Sequence, residues 1–79
     1  MNEKAENHDR IVLLENVQEY DLQTGDVGTV VYIHRQGKAF EVEFMTLDGG
    51  TVAVATLLLS QIRAVGKRDI THVRELSAS

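Results

Sequence analysis

A strictly alternating segment near the middle of the chain constrains the fold more than any other feature. In residues 39–45, two phenylalanines and a valine alternate with Glu41 and Glu43. This period of two matches a β-strand, because successive side chains of a strand point to opposite faces. The segment therefore predicts a strand whose aromatic face lies in a core and whose two glutamates lie in water.

Other segments share the composition of strands. Each is short, rich in β-branched, aliphatic or aromatic residues, and bounded by turn signals such as Gly25, Gly37 and Asp48-Gly49. A glycine inside one of them, Gly28, predicts either a β-bulge or a close approach of two backbones. The predicted strands span residues 11–14, 28–34, 39–45, 51–56 and 62–65.

The connections between these strands are also readable. Residues 15–25 predict a long loop that pins itself to the core through Val17 and Leu22, and residues 57–61 predict one short helical turn. Apolar residues spaced three apart after Gly66 fit either a short helix or an extended arm, and the sequence leaves that choice open. We expect a disordered tail over residues 1–8, one domain over 9–65, and a C-terminal extension over 66–79.

Five strands at such close spacing favour an all-β fold, specifically a small SH3-like barrel with a short helical turn before its last strand. The chain contains no proline, which is one of the residues that protect exposed strand edges. Closing the sheet into a barrel removes most of those edges, so a barrel is the expected architecture.

Length and composition exclude several classes of protein. With 79 residues and no cysteine, the chain is large enough for one domain and lacks any disulfide or thiolate. The polar start has no apolar segment typical of an export signal, and no apolar run approaches the roughly 20 residues that span a bilayer. We therefore expect a cytoplasmic protein that does not enter a membrane.

Charge makes nucleic acid an improbable partner. The net charge is −4, whereas binding to phosphates requires clustered lysine and arginine. A nucleic-acid-associated SH3-like domain is the alternative hypothesis, and it would use a basic rim made of Arg35, Lys38, Arg63, Lys67 and Arg68.

The sequence carries no recognisable catalytic or metal-binding constellation. The histidines His8, His34 and His72 lack partners at metal-ligand spacing. Glu41 and Glu43 share one face of a strand about 6.6 Å apart, yet nothing around them predicts the apolar pocket that raises a catalytic pKa. We expect a non-enzymatic protein without metal or cofactor.

The combination of residues 22–31 (LQTGDVGTVV), 40–44 (FEVEF) and 51–54 (TVAV) resembles a family of short bacterial and cyanobacterial proteins, domain of unknown function 4926. The resemblance covers residues 9–65 and, more weakly, 72–76. It implies an SH3-like barrel and no established activity. The resemblance also implies small stand-alone proteins, some of them encoded beside toxin-like genes, which by analogy implies an antitoxin or immunity role. Gln18 and Leu58 stand where the family pattern is expected to carry proline.

These observations favour a protein-interaction module. Its negative charge suits a basic partner such as a nuclease-type toxin. The three consecutive leucines at 57–59 exceed what one turn can bury, which marks a surface for a partner or for a homodimer. The candidate partner-binding residues are Tyr20, Asp21, Glu41, Glu43 and Leu58.

Overall fold

The computed structural model describes residues 8–34 and 36–76, and it is all-β. One antiparallel sheet contains five strands, as the sequence predicts. Most of the expected tail, residues 1–7, lies outside the described residues. The strands are β1 (Arg10–Leu13), β2 (Val27–His34), β3 (Ala39–Met45), β4 (Thr51–Leu58) and β5 (Ile62–Ala64).

The order of the strands across the sheet is β4-β3-β2-β1-β5, so the last strand pairs with the first. Ile11 lies opposite Ala64, and Leu13 lies opposite Ile62. A 3-10 turn at Leu59–Gln61 separates β4 from β5, which confirms the short helical turn predicted before the last strand. β4 extends two residues further than expected, through Leu57 and Leu58, and the turn begins correspondingly later.

The core lies on the inner face of the sheet and takes at least one side chain from each strand. On β3 the alternation is as predicted, because Phe40, Val42 and Phe44 are buried and the intervening glutamates face outward. On β4 the inner face carries Ala55 and Leu57. The remaining apolar members of the core cluster are Ile11, Leu13, Val17, Leu22, Val30 and Ile62.

Two irregularities shape β2. Gly28 is buried in β2 beside β3, and a Cβ at this position would lie 2.6 Å from Val42 Cγ1 and 2.8 Å from Phe44 Cε2. The predicted close approach therefore occurs at Gly28. The bulge lies further along, because Val30 pairs with Val42 and Tyr32 pairs with Glu41, which leaves one extra residue in β2.

The loop between β1 and β2 is held by the two residues expected to pin it. Val17 and Leu22 are buried, and their backbones exchange hydrogen bonds of 2.9 and 3.1 Å. A 3-10 turn, Gln18–Tyr20, fills the segment between them, and Tyr20 packs partly against the core. Gly25 has φ +95°, the left-handed conformation that its turn requires.

The chain beyond β5 forms neither helix nor strand as far as residue 76. This segment, residues 66–76, is called the C-terminal arm below. Ion pairs anchor two of its side chains: Arg74 bonds to Asp26, just before β2, and Asp69 bonds to Arg63 of β5. Across residues 8–34 and 36–76 there is no helix with the length and apolar character to cross a membrane.

Candidate functional site

The solvent-facing side of β2, β3 and β4 presents three rows of side chains. Directly opposite residues in an antiparallel sheet project on the same side, so the register defines each row. The rows are Thr29–Glu43–Val54, Tyr32–Glu41–Thr56 and His34–Ala39–Leu58. These nine positions are called the outer face.

Hydrogen bonds hold the central carboxylate of this face in place. His34 Nε2–H donates to Glu41 Oε2 at 2.7 Å, and Thr56 Oγ1 donates to the same oxygen at 2.8 Å. These bonds, together with the charge of His34 when it is protonated, keep the pKa of Glu41 below its ordinary value of 4.5. Tyr32 packs edge-on against the His34 ring, with 4.6 Å between ring centroids. Glu41 is therefore an ionised and oriented acceptor.

Glu43 adds a second carboxylate on the same strand. It accepts a 2.7 Å hydrogen bond from Thr51 Oγ1, and it has no ion-pair partner within residues 8–34 and 36–76. The three rows contain no lysine or arginine. The outer face therefore carries two carboxylates opposed only by His34 when that ring is protonated.

Apolar side chains flank these carboxylates. Tyr32, Val54 and Leu58 are each about half exposed, at 56%, 48% and 56%. Protein-binding surfaces commonly combine exposed apolar area with polar groups such as these oriented acceptors. The arrangement is suited to contact with a second macromolecule.

The structure brings together three of the five predicted partner-binding residues. Glu41, Glu43 and Leu58 all belong to the outer face. Tyr20 and Asp21 lie instead in the loop between β1 and β2, where Tyr20 packs against the core and Asp21 uses its carbonyl oxygen to accept a 3.1 Å hydrogen bond from Arg74. Asp21 therefore belongs to the contact with the C-terminal arm, whereas Tyr20 belongs to the periphery of the core.

Alternation along β2 places Tyr32 and Ile33 on opposite faces without indicating which of them faces outward, and His34 stands at the predicted end of that strand. The bulge decides the first point, because the extra residue in β2 brings Tyr32 opposite Glu41. No local pattern at residues 28–34 marks that bulge. The Gly37 hairpin is the signal from which the partnership of His34 with Glu41 could have been predicted, because a tight turn makes the two strand ends neighbours.

Comparison with known proteins identifies the family. The chain matches the family described as "Domain of unknown function (DUF4926)" over residues 7–64, more than half its length. The chain belongs to this family. No curated protein and no solved structure matches it. All nine outer-face positions lie inside the family segment, whereas the C-terminal arm lies beyond it.

A shallow groove of about 930 Å³ runs between the family segment and the arm. Asp26 and Arg74 line it and are bonded to each other at 2.8 Å through two pairs of atoms. Burial opposes ionisation of Asp26, but hydrogen bonds from Arg74 and from the Gln23 N–H outweigh it and lower the pKa of Asp26 below 3.8. This charged pair stabilises the arm against the family segment.

Four of the five residues of the basic rim proposed for the nucleic-acid alternative lie among the described residues. Arg35 lies outside the described residues. Arg63 forms a bidentate ion pair with Asp69, with both N–O distances at 2.9 Å, so its charge is already neutralised. Lys38, Lys67 and Arg68 are exposed. The alternative remains a prediction for these three residues together with Arg35.

Proposed function

We propose that this protein is a non-enzymatic protein-interaction module that binds a partner protein through the outer face of β2–β4. One observation carries the proposal: Glu41 and Glu43 are oriented carboxylates on a half-apolar, exposed sheet face without lysine or arginine. Ionised acceptors held in place before binding lose little freedom on complex formation. They give orientation and charge selectivity to an otherwise apolar contact.

The partner chemistry follows from this composition. A complementary surface carries lysine or arginine opposite Glu41 and Glu43, together with apolar groups that cover Tyr32, Val54 and Leu58. A basic toxin-like protein, such as a nuclease whose substrate-binding surface is positive, has this character. Binding would occlude that surface, which is the action of an antitoxin or immunity protein. The net charge of −4 would accelerate association with such a partner at low salt.

Affinity capture with matched variants tests the proposal. The tagged protein is used as bait in extracts of its own cells, beside Glu41→Gln/Glu43→Gln and the control Glu15→Gln/Glu19→Gln. Both double variants remove the same number of negative charges, but the control residues are exposed positions in the loop between β1 and β2. The expected result is a protein retained by the wild type and the control and lost with the outer-face variant.

The captured protein is then purified and its affinity is measured at several salt concentrations. We expect the outer-face variant to bind at least about tenfold more weakly, and the difference to shrink as salt rises. Equal binding by both double variants would overturn the assignment to the outer face. A wild-type bait that retains nucleic acid and no stoichiometric protein would instead favour the basic-rim alternative.

A further inference from the structure

The free edge of β4 is the second surface that this fold leaves available for interaction. β4 pairs with β3 on one side, and on the other side it is the edge of the sheet. Its eight residues, Thr51–Leu58, contain no charged side chain and no proline. Natural edge strands are usually protected by one of these features, by brevity or by a covering segment.

The hydrogen-bonding groups on that edge can be assigned. Leu58 N–H donates to the Gln61 side chain at 2.8 Å, so the backbone of Leu58 points away from β3. Alternate residues of an antiparallel strand share this direction, which assigns Thr56 and Val54 to the free edge as well. Outside the β3–β4 ladder, neither residue makes a backbone hydrogen bond within the described part of the chain. The edge thus offers two adjacent pairs of N–H and C=O groups.

We propose that two copies of this chain form a symmetric dimer by antiparallel pairing of their β4 edges. A two-fold axis at Ala55 places Val54 of each copy opposite Thr56 of the other. This register uses every free group of both residues and forms four hydrogen bonds across the interface. The two open β4 edges close on each other, so no further copy can add through β4.

A second copy suits this edge better than an unstructured peptide does. Its β4 strand is already extended by pairing with β3, so association does not have to order it. No like charges meet at the new strand pair, because β4 has none. The β3 strands, which carry Glu41 and Glu43, would lie three strand spacings apart, about 14 Å. That distance exceeds the Debye length of about 8 Å at physiological salt, so the carboxylates of the two copies repel only weakly.

Measurement of the molar mass in solution tests the proposal. Sedimentation equilibrium of the full chain over a range of concentrations should fit a monomer–dimer equilibrium with no larger species. The decisive variant is Thr56→Pro, which removes an N–H that faces the free edge. This N–H makes no hydrogen bond to β3, and proline is tolerated at edge positions of this kind. The control is Thr56→Ser, which retains the backbone donor and the side-chain hydroxyl.

The proline variant removes one N–H from each copy, which is two of the four interchain bonds. We expect its dimer dissociation constant to rise about tenfold or more, while that of the serine variant stays close to wild type. A wild type that is monomeric at every concentration would overturn the proposal. A dimer that survives the proline substitution, or an assembly larger than two copies, would overturn it equally.

Cysteine trapping tests the register without depending on the fold of the proline variant. The chain has no cysteine of its own, so Val54→Cys and Thr56→Cys each carry a single thiol. When the two variants are mixed and oxidised, the predicted register favours a disulfide between one Val54→Cys chain and one Thr56→Cys chain over a disulfide between two identical chains. Statistical formation of all three disulfides would contradict this register. The trapping result is independent of whether the outer face binds a partner.

Discussion

Arg74 and Asp26 form a bidentate ion pair, although 48 positions of sequence separate them. Arg74 Nε–H and Nη2–H each donate to one Asp26 oxygen at 2.8 Å, and Nη2–H also reaches the Asp21 carbonyl oxygen at 3.1 Å. The side chains are mostly buried, with 19% of Arg74 and 14% of Asp26 exposed. This ion pair fixes the C-terminal arm beside the turn that begins β2.

Replacing Arg74 should release the arm. We expect Arg74→Ala to lower the free energy of unfolding by about 1–2 kcal/mol, between the values for exposed and fully buried ion pairs, since Asp26 loses its partner. Backbone order parameters of residues 70–76, measured by NMR relaxation, should fall below about 0.6. Arg68→Ala is the matched control, because Arg68 is exposed and makes no ion pair in the described residues. An arm that remains ordered in Arg74→Ala would show that other contacts hold it.

Asp26 also makes the free energy of unfolding depend on pH in the acidic range. Its folded-state pKa lies below its ordinary value of 3.8, so the unfolded chain binds more protons in the interval between the two values. Stability from this group is present above the unfolded pKa and is lost as pH falls through the folded pKa. Asp69, whose pKa Arg63 lowers to about 2, adds a loss of the same sign.

Urea unfolding at about pH 6, 4 and 2 measures this effect. The wild type should be more stable than Asp26→Asn at the highest pH, and the difference should diminish as the pH falls. A difference that stays constant over this range would mean that the carboxylate of Asp26 has the same pKa in both states.

A methyl group at Gly28 should disturb the packing of β2 against the β3 side chains. In Gly28→Ala the added Cβ would approach two core side chains within 2.8 Å and the Glu43 carbonyl oxygen at 3.0 Å. We expect a loss of about 2 kcal/mol, as for other overpacked cores. Gly66→Ala is the control, since its nearest contact is an ordinary 3.7 Å and its expected change is within about 0.5 kcal/mol. Thermal unfolding of both variants checks the prediction, and equal melting temperatures would contradict it.

The same substitution at two adjacent leucines should change the stability of the protein by very different amounts. Leu57 is 1% exposed and Leu58 is 56% exposed, because β4 directs them to opposite faces. Leu57→Ala should cost about 2–5 kcal/mol, a large share of the roughly 4–12 kcal/mol typical of a domain this size, whereas Leu58→Ala should change stability by less than about 0.5 kcal/mol. If Leu57→Ala does not fold, Leu57→Val provides a milder comparison by denaturant unfolding. Similar losses at both positions would contradict the assigned faces.

The sequence predicted those parts of the fold that depend on short-range alternation and turn chemistry. Glu41 and Glu43 were placed on the solvent face because period-two alternation has no other explanation in a strand. Gly25 was assigned to a turn from its residue type. Val17 and Leu22 were expected to pin the loop because they are isolated apolar residues in a polar segment. Each of these inferences required only neighbouring residues.

Features that depend on distant residues were missed. Three leucines at 57–59 are compatible with a helical turn, but pairing with Ala39 and Phe40 keeps the first two in β4. Arg74 has no local signal for Asp26, since only folding brings them together. Tyr20 packs partly against the core, a contact that its position in a polar loop did not indicate.

The pairing of β1 with β5 has a consequence for folding during synthesis. The meander β2–β3–β4 joins segments that are close in sequence, so it can assemble as soon as those residues leave the ribosome. β1 then lies along β2 with one edge open until Ile62–Ala64 emerges and pairs with it. Ile62, a core residue, arrives with that strand. Until β5 pairs, the nascent domain has an open β1 edge and an incomplete core. A translational pause before residue 62 would lengthen this interval, during which exposed apolar surface makes the chain a target for chaperones.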